Sequence, residues 1–175
     1  EAKFEERINP MWAKTLKFND HVYSVPINAH RTNWLWYDKR IFDEVGVKAP
    51  ETYDELLEAC QKIKEAKPEI SPLALGSREK AWVTYLYDMV LLTTGGPDFY
   101  EKANTGRIDF LNDPTFHQAM ERFAALIPYI YPWHATKSWD EAAALLKTGE
   151  AAMYWMGDWV LGYYLSIGME PEVDF

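Results

Sequence analysis

A single cysteine, Cys60, stands in a chain of 175 residues, so no disulfide can close within it. Exported proteins also do without disulfides, and the lone thiol therefore assigns no compartment. No run of about 18 apolar residues occurs, and nothing in the sequence reads as membrane-spanning. Basic residues are outnumbered, with 18 Lys and Arg against 27 Asp and Glu, for a net charge of −9. Nucleic acids and anionic membranes recruit basic patches, so neither is expected as a partner. The four histidines, His21, His30, His117 and His134, are scattered without a His-x-x-x-His pair or a cysteine cluster, and no metal site is expected. The phosphate-cradling G-x-x-x-x-G-K and G-x-G-x-x-G patterns are absent, as is the G-x-S-x-G nucleophile elbow, and no cofactor is expected. No secretory leader is legible in residues 1–175. Glu1 and the strand-like Glu172-Val173-Asp174-Phe175 give the chain the look of a mature or excised piece.

What is abundant is aromatic. Eight Trp, eleven Tyr and eight Phe are many for this length, and some of those rings should be exposed in a site. A hydrophobic fraction of 48% is ample for a packed core, and residues 1–175 read as one domain. Leu16–Phe18 and Val22–Val25 flank the turn-rich Asn19-Asp20-His21 and predict a hairpin, which Pro26 limits. Trp34–Tyr37 reads as a short strand and Lys39–Val45 as a brief helix closed by Gly46. Thr52–Glu55 is a capping box opening a helix with Leu56, Ala59, Cys60 and Ile63 on one face. On that stripe Cys60 reads as a buried small hydrophobe. Pro72–Gly76 predicts a strand, with Ser77–Lys80 a polar loop at its carboxyl end. A helix over Trp82–Leu92 should stop at Gly95-Gly96, and Asp113-Pro114 should open the next, with Phe116, Ala119, Met120, Phe123, Leu126 and Ile127 as its apolar stripe. Ser138–Glu141 is a second capping box. Short strands alternating with longer helices predict an α/β class with helix in excess.

The stretch Leu146–Gly168 organises the rest. Gly149 ends a helix, Ala151–Met156 is long enough for one buried strand, and Gly157-Asp158 breaks it before a further apolar helix. Asp158 sits where a helix N-cap belongs. Asp158 and Trp159 are thereby placed at the carboxyl end of a strand, where open α/β sheets bind ligands. A carboxylate beside an indole suits a neutral, hydroxyl-rich ligand, since the acid accepts hydrogen bonds and the ring covers an apolar C–H face. The plain alternative is a capping Asp and a core Trp. His30, in a polar loop, reads equally as a ligand contact or a surface residue. Trp34 and Trp36 alternate with Leu35, so at most one of the two is expected on the ligand side, with the other in the core. Asp158 with Glu79 is a conceivable glycosidase pair, although 27 acids make coincidence the better explanation.

These segments together resemble a known family. Residues 23–39, YSVPINAHRTNWLWYDK, resemble the crossover of sugar-type extracellular solute-binding proteins of ABC transporters. VKAPETYDEL at 47–56 is similar to their P-x-T-W/Y-x-E-L helix start, PLALG at 72–76 to the strand that follows, and residues 149–159 to their G-x-x-A-M-x-x-x-G-x-W signature. The resemblance implies a helix-rich lobe of the type II periplasmic-binding-protein fold, a small sheet with flanking helices. Hinge strands would lie near 22–29 and 172–175, with the first lobe and a C-terminal segment absent. It implies capture, without catalysis, of a mono- or small oligosaccharide that is passed to a membrane permease, in the periplasm or outside the cell on a lipid anchor. Position by position, Trp159 would be the stacking ring, Asp158 and His30 polar contacts, and Asn33 and the Lys80–Trp82 loop further lining. His30 falls where maltose-type members carry an acid and Asp158 where they carry proline, departures that fit a monosaccharide-type branch. An isolated lobe should bind sugar weakly and self-associate. The alternatives are a glycosidase-like domain using Asp158 and a second acid, and a purely structural helical domain.

Overall fold

The computed structural model describes residues 7–10, 13, 16–19 and 21–175. It divides the chain into two compact units, Glu1–His30 and Arg31–Phe175, where composition pointed to one domain. In the first unit β1 (Lys17–Phe18) pairs antiparallel with β2 (His21–Val22), Lys17 opposite Val22. Asn19 turns the chain with φ 48°, a conformation its short polar side chain tolerates. The predicted hairpin forms, with His21 in its second strand; Asp20 of the predicted spacer lies outside the described residues. Strand pairing stops at Val22, so residues 23–29 supply no strand.

The second unit is built on a three-stranded sheet in the order β3–β5–β4. The central strand β5 (Ala151–Met156) pairs antiparallel with β3 (Trp34–Tyr37) and parallel with β4 (Ser71–Ala74). Five of its six residues are buried, because helices cover both faces of the sheet. Leu73 and Met153 pack under α2 (Tyr53–Ala66), α3 (Val83–Asn104) and α4 (Pro114–Leu126), which follow the short α1 (Lys39–Val45). Trp36, Ala74, Tyr154 and Met156 meet α5 (Trp139–Thr148) and α6 (Val160–Ser166) on the opposite face. This is the helix-rich α/β architecture predicted, and Cys60 lies fully buried on α2.

Local signals account for most helix ends. Thr52 and Ser138 each complete a capping box, Asp113 accepts from the Thr115 and Phe116 amides, and Gly149 closes α5 at φ 71°. Gly95-Gly96 interrupts the chain as predicted, with Gly96 at φ 75°, but helix resumes at Pro97 within α3. Asp38, buried, caps α1 through the Arg40 and Ile41 amides and takes the Arg40 guanidinium at 2.7 Å. Arg40 also donates to the Leu146 carbonyl at 3.0 Å and faces Asp174 at 3.5 Å, tying residues near 174 to α1.

Three expectations need correction. Residues 172–175 form a turn rather than a strand, closed by the Glu172 amide on the Phe175 carbonyl with Glu172 at φ 63°. Trp34 and Trp36 do not divide between the sheet's faces. Residues two apart on a strand share a face, and their rings lie 5.4 Å apart, Trp36 buried and Trp34 at the exposed margin. Ile127 leaves the α4 stripe and is exposed, since the helix gives way at that point to a 3₁₀ turn.

Candidate functional site

Strand direction brings three segments to one edge of the sheet. β4 and β5 run parallel, so the loop after Ala74 and the turn after Met156 emerge side by side. β3 runs the other way, so its beginning, not its end, lies there, with Trp34 opposite Met156. Asn33, exposed just before β3, Lys80, exposed in a 3₁₀ turn over Lys80–Trp82, and Asp158-Trp159 thus share that edge. α5 supplies a fourth piece. Its ten residues run back alongside β5, about 15 Å of helix, and return Trp139 to the same side.

At this edge the rings gather. The Trp159 ring lies 6.1 Å from Trp82, 5.8 Å from Tyr85 and 6.4 Å from Trp139, and Trp139 packs edge-on to Tyr163 at 5.6 Å. Edge-to-face geometry suits the ring quadrupoles, and each such pair contributes about 0.5–1.5 kcal/mol beyond its buried area. Gly157 explains why the indole lies where it does. A Cβ at 157 would strike the Trp159 ring, so the glycine makes room for the indole to fold back over the strand end. Its φ is not positive, and steric room rather than backbone freedom is what the position requires. The Trp82 Nε1 is buried without a hydrogen-bond partner among the described residues.

Asp158 is not the N-cap that its position suggested. Turn bonds from Val160 and Leu161 go to the Gly157 and Asp158 carbonyls, and no side chain caps α6. The carboxylate instead accepts the Arg31 amide at 3.1 Å, while the Asp158 amide donates to the Arg31 carbonyl at 2.9 Å. This reciprocal pair clamps the entry to β3 against the exit of β5.

Across the edge Ser77 and Arg78 donate their amides to the carbonyls of His134 and Lys137, and Ser77 Oγ meets His134 Nδ1 at 2.7 Å. Arg78 bridges Glu79 at 3.0 Å and Glu141 at 2.9 Å. Glu79, the second acid of the conceivable glycosidase pair, is thus held in an ion pair. The Asp140 carboxyl is kept below its ordinary value, chiefly by the Ser138 hydroxyl. Burial pushes the Tyr85 and Tyr163 hydroxyls up, so both stay neutral donors. Among the described residues no group of three or more metal-ligating side chains occurs. A wider depression of about 470 Å³ lies away from this edge, between Gly46–Glu51 and α2, lined by Lys48, Glu55, Glu58 and Lys62; no aromatic ring lines it.

The structure therefore brings Asn33, Lys80, Trp82, Asp158 and Trp159 to one edge of the second unit. His30 belongs to the first unit, in an exposed stretch after the hairpin. Sequence reasoning missed Arg31, Tyr85, Trp139 and Tyr163. Trp139 was findable, because a helix leading directly into a strand must begin near the strand's far end. Arg31 contributes backbone alone, which no side-chain pattern reveals.

An exposed ring face from this cluster, beside a carboxylate, can cover an apolar face while the acid accepts hydrogen bonds from hydroxyls. Residues 2–174 match the family described as bacterial extracellular solute-binding protein. The chain is 44% identical over 160 residues to an uncharacterized ABC transporter extracellular-binding protein of Pyrococcus horikoshii, covering 90% of this chain and 36% of that one. It is 35% identical over 153 residues to a probable sugar-binding periplasmic protein of Mesorhizobium japonicum, covering 87% and 36%. Among solved structures, it matches a protein studied in xylan utilization by the thermophilic bacterium Caldanaerobius polysaccharolyticus with a TM-score of 0.82 and 25% identity, covering 98% of this chain and 43% of that one. The chain thus spans about a third of the length of these curated relatives.

Proposed function

We propose, because this chain belongs to the bacterial extracellular solute-binding protein family, that Arg31–Phe175 is one lobe of a carbohydrate receptor serving an ABC transporter outside the cytoplasm. The observation that carries the reading is the ring wall of Trp82, Tyr85, Trp139 and Trp159 beside the Asp158 carboxylate. In it Trp159 stacks on a pyranose face. The Asp158 carboxylate and the side chains of Asn33 and Lys80 hold ring hydroxyls. The sugar is held, not cleaved, and a membrane permease receives it. One lobe supplies one wall of such a site, so the chain alone binds weakly.

Calorimetric titration with mono- and disaccharides tests this. Trp159→Ala should weaken binding by about 1–3 kcal/mol, the weight buried aromatics carry at binding sites. Asp158→Asn keeps an oxygen for the Arg31 amide, so melting stays near native while sugar binding falls. Unchanged affinity in both variants overturns the assignment, and turnover of chromogenic glycosides abolished by Asp158→Asn would establish an enzyme instead.

A further inference from the structure

Beyond β4 the sheet edge continues without forming a regular strand. Ile130 bridges Leu73 in the parallel sense, and the Tyr131 amide donates to the Leu73 carbonyl at 2.8 Å. Four residues on, the Ser77 amide donates to the His134 carbonyl at 2.9 Å. Residues 130–134 therefore run beside 73–77 in the same direction, and Trp133 and His134 come out at the edge that carries Trp82 and Trp159.

Trp133 is 66% exposed there, where Trp36 is 5%. Its turn is fixed, since the Thr136 amide and hydroxyl both donate to the Trp133 carbonyl, at 3.0 and 2.8 Å. His134 is fixed as well: Nδ1 is engaged by Ser77 Oγ at 2.7 Å, which sets the imidazole and leaves Nε2 as its other hydrogen-bonding atom. A large indole held in solvent beside an oriented polar ring repeats the pairing of flat face and hydrogen-bonding group found at Trp159 and Asp158. The two pairs are separated by two strand steps, about 10 Å between the paths of β5 and residues 130–134. A single pyranose does not cover that span, and a second linked ring does.

We propose that Trp133 and His134 form a second carbohydrate subsite, which takes the next ring of an oligosaccharide whose first ring lies on Trp159 and Trp82. The proposal rests on the carbohydrate reading above and adds to it the class of ligand, a linked saccharide rather than a single hexose.

The test is titration of the 175-residue chain with two matched series, glucose, maltose and maltotriose, and xylose, xylobiose and xylotriose. Trp133→Ala is expected to weaken the di- and trisaccharide of the binding series about 3- to 12-fold and to leave the monosaccharide within about twofold, the scale of one stacked ring. Trp133→Phe should restore part of the loss, and an exposed side chain puts neither variant's folding at stake. Trp159→Ala should weaken every member of that series. Oligosaccharide affinity unmoved by Trp133→Ala overturns the second subsite, as does an equal loss for the monosaccharide. If Trp159→Ala changes nothing, or if neither series binds, the carbohydrate reading itself fails and the subsite falls with it.

Discussion

Replacing Gly157 by alanine is the sharpest perturbation this structure offers, because it moves Trp159 without touching it. Gly157 is buried and takes no left-handed conformation, so alanine meets no backbone penalty. The new Cβ, however, would sit 2.5 Å from Cε3 of the Trp159 ring and closer still to two neighbouring ring carbons, where ordinary contact begins near 3.4 Å. The ring must therefore swing away by about 1 Å or more. Trp159 makes ring contacts with Trp82, Tyr85 and Trp139. Partial loss of three pairs at about 0.5–1.5 kcal/mol each lowers stability by about 1–3 kcal/mol. On the proposal that this ring stacks on sugar, a displacement of that size should cost sugar affinity about 5- to 160-fold, equivalent to about 1–3 kcal/mol. Thermal denaturation and calorimetry on Gly157→Ala, Trp159→Ala and the double variant form a cycle that isolates the coupling. In the Trp159→Ala background the Gly157→Ala change should cost almost nothing, since the ring it strikes is gone. A full penalty in that background would refute the steric argument and make Gly157 a backbone requirement after all.

Gly76→Ala should be worse, because its Cβ would collide with the Ser138 carbonyl, which is backbone and cannot turn aside. A loss of about 3 kcal/mol, or roughly 6–12 °C in melting temperature, is expected by circular dichroism. Cys60 is fully buried and burial pushes its thiol up to about 12, so Ellman's reagent should release no thiol from the native chain at pH 8 and one per chain in guanidinium. Reaction of the native chain at the denatured rate would contradict the packing of α2. Burial raises the Asp88 carboxyl above its ordinary value of 3.8, an effect the Tyr100 hydroxyl partly offsets. A raised folded value means that the protonated form is favoured, so this contribution is complete below the unfolded value and is lost as pH rises through the folded one. Asp88→Asn should therefore raise the melting temperature at pH 7 and lose that advantage near pH 3, whereas equal shifts at both pH values would rule out the ionisation as their source.

The sequence by itself determined what neighbours in the chain decide. Thr52 with Glu55, Ser138 with Glu141, and Asp113 with Thr115 and Phe116 close hydrogen bonds over two or three residues, and Gly149 supplies its own left-handed cap. Those helix ends are legible because nothing distant competes for the groups involved. The family was legible as well, through four motifs in order. Asp158 shows the limit. It had every local mark of an N-cap, and its carboxylate went instead to the Arg31 amide, 127 residues away, because antiparallel pairing of β3 with β5 delivers that amide to the strand end. The strand-like tail became a turn for a similar reason, with Asp174 drawn to Arg40 and to the Glu170 amide. The ring wall was likewise settled by tertiary structure. Trp82, Tyr85, Trp139, Trp159 and Tyr163 come from separate elements, and only the β3–β5–β4 order and the return of α5 bring them together. Backbone caps are satisfied within a few residues, while a side chain's partners depend on which strands become neighbours, and that is fixed by burial of both sheet faces.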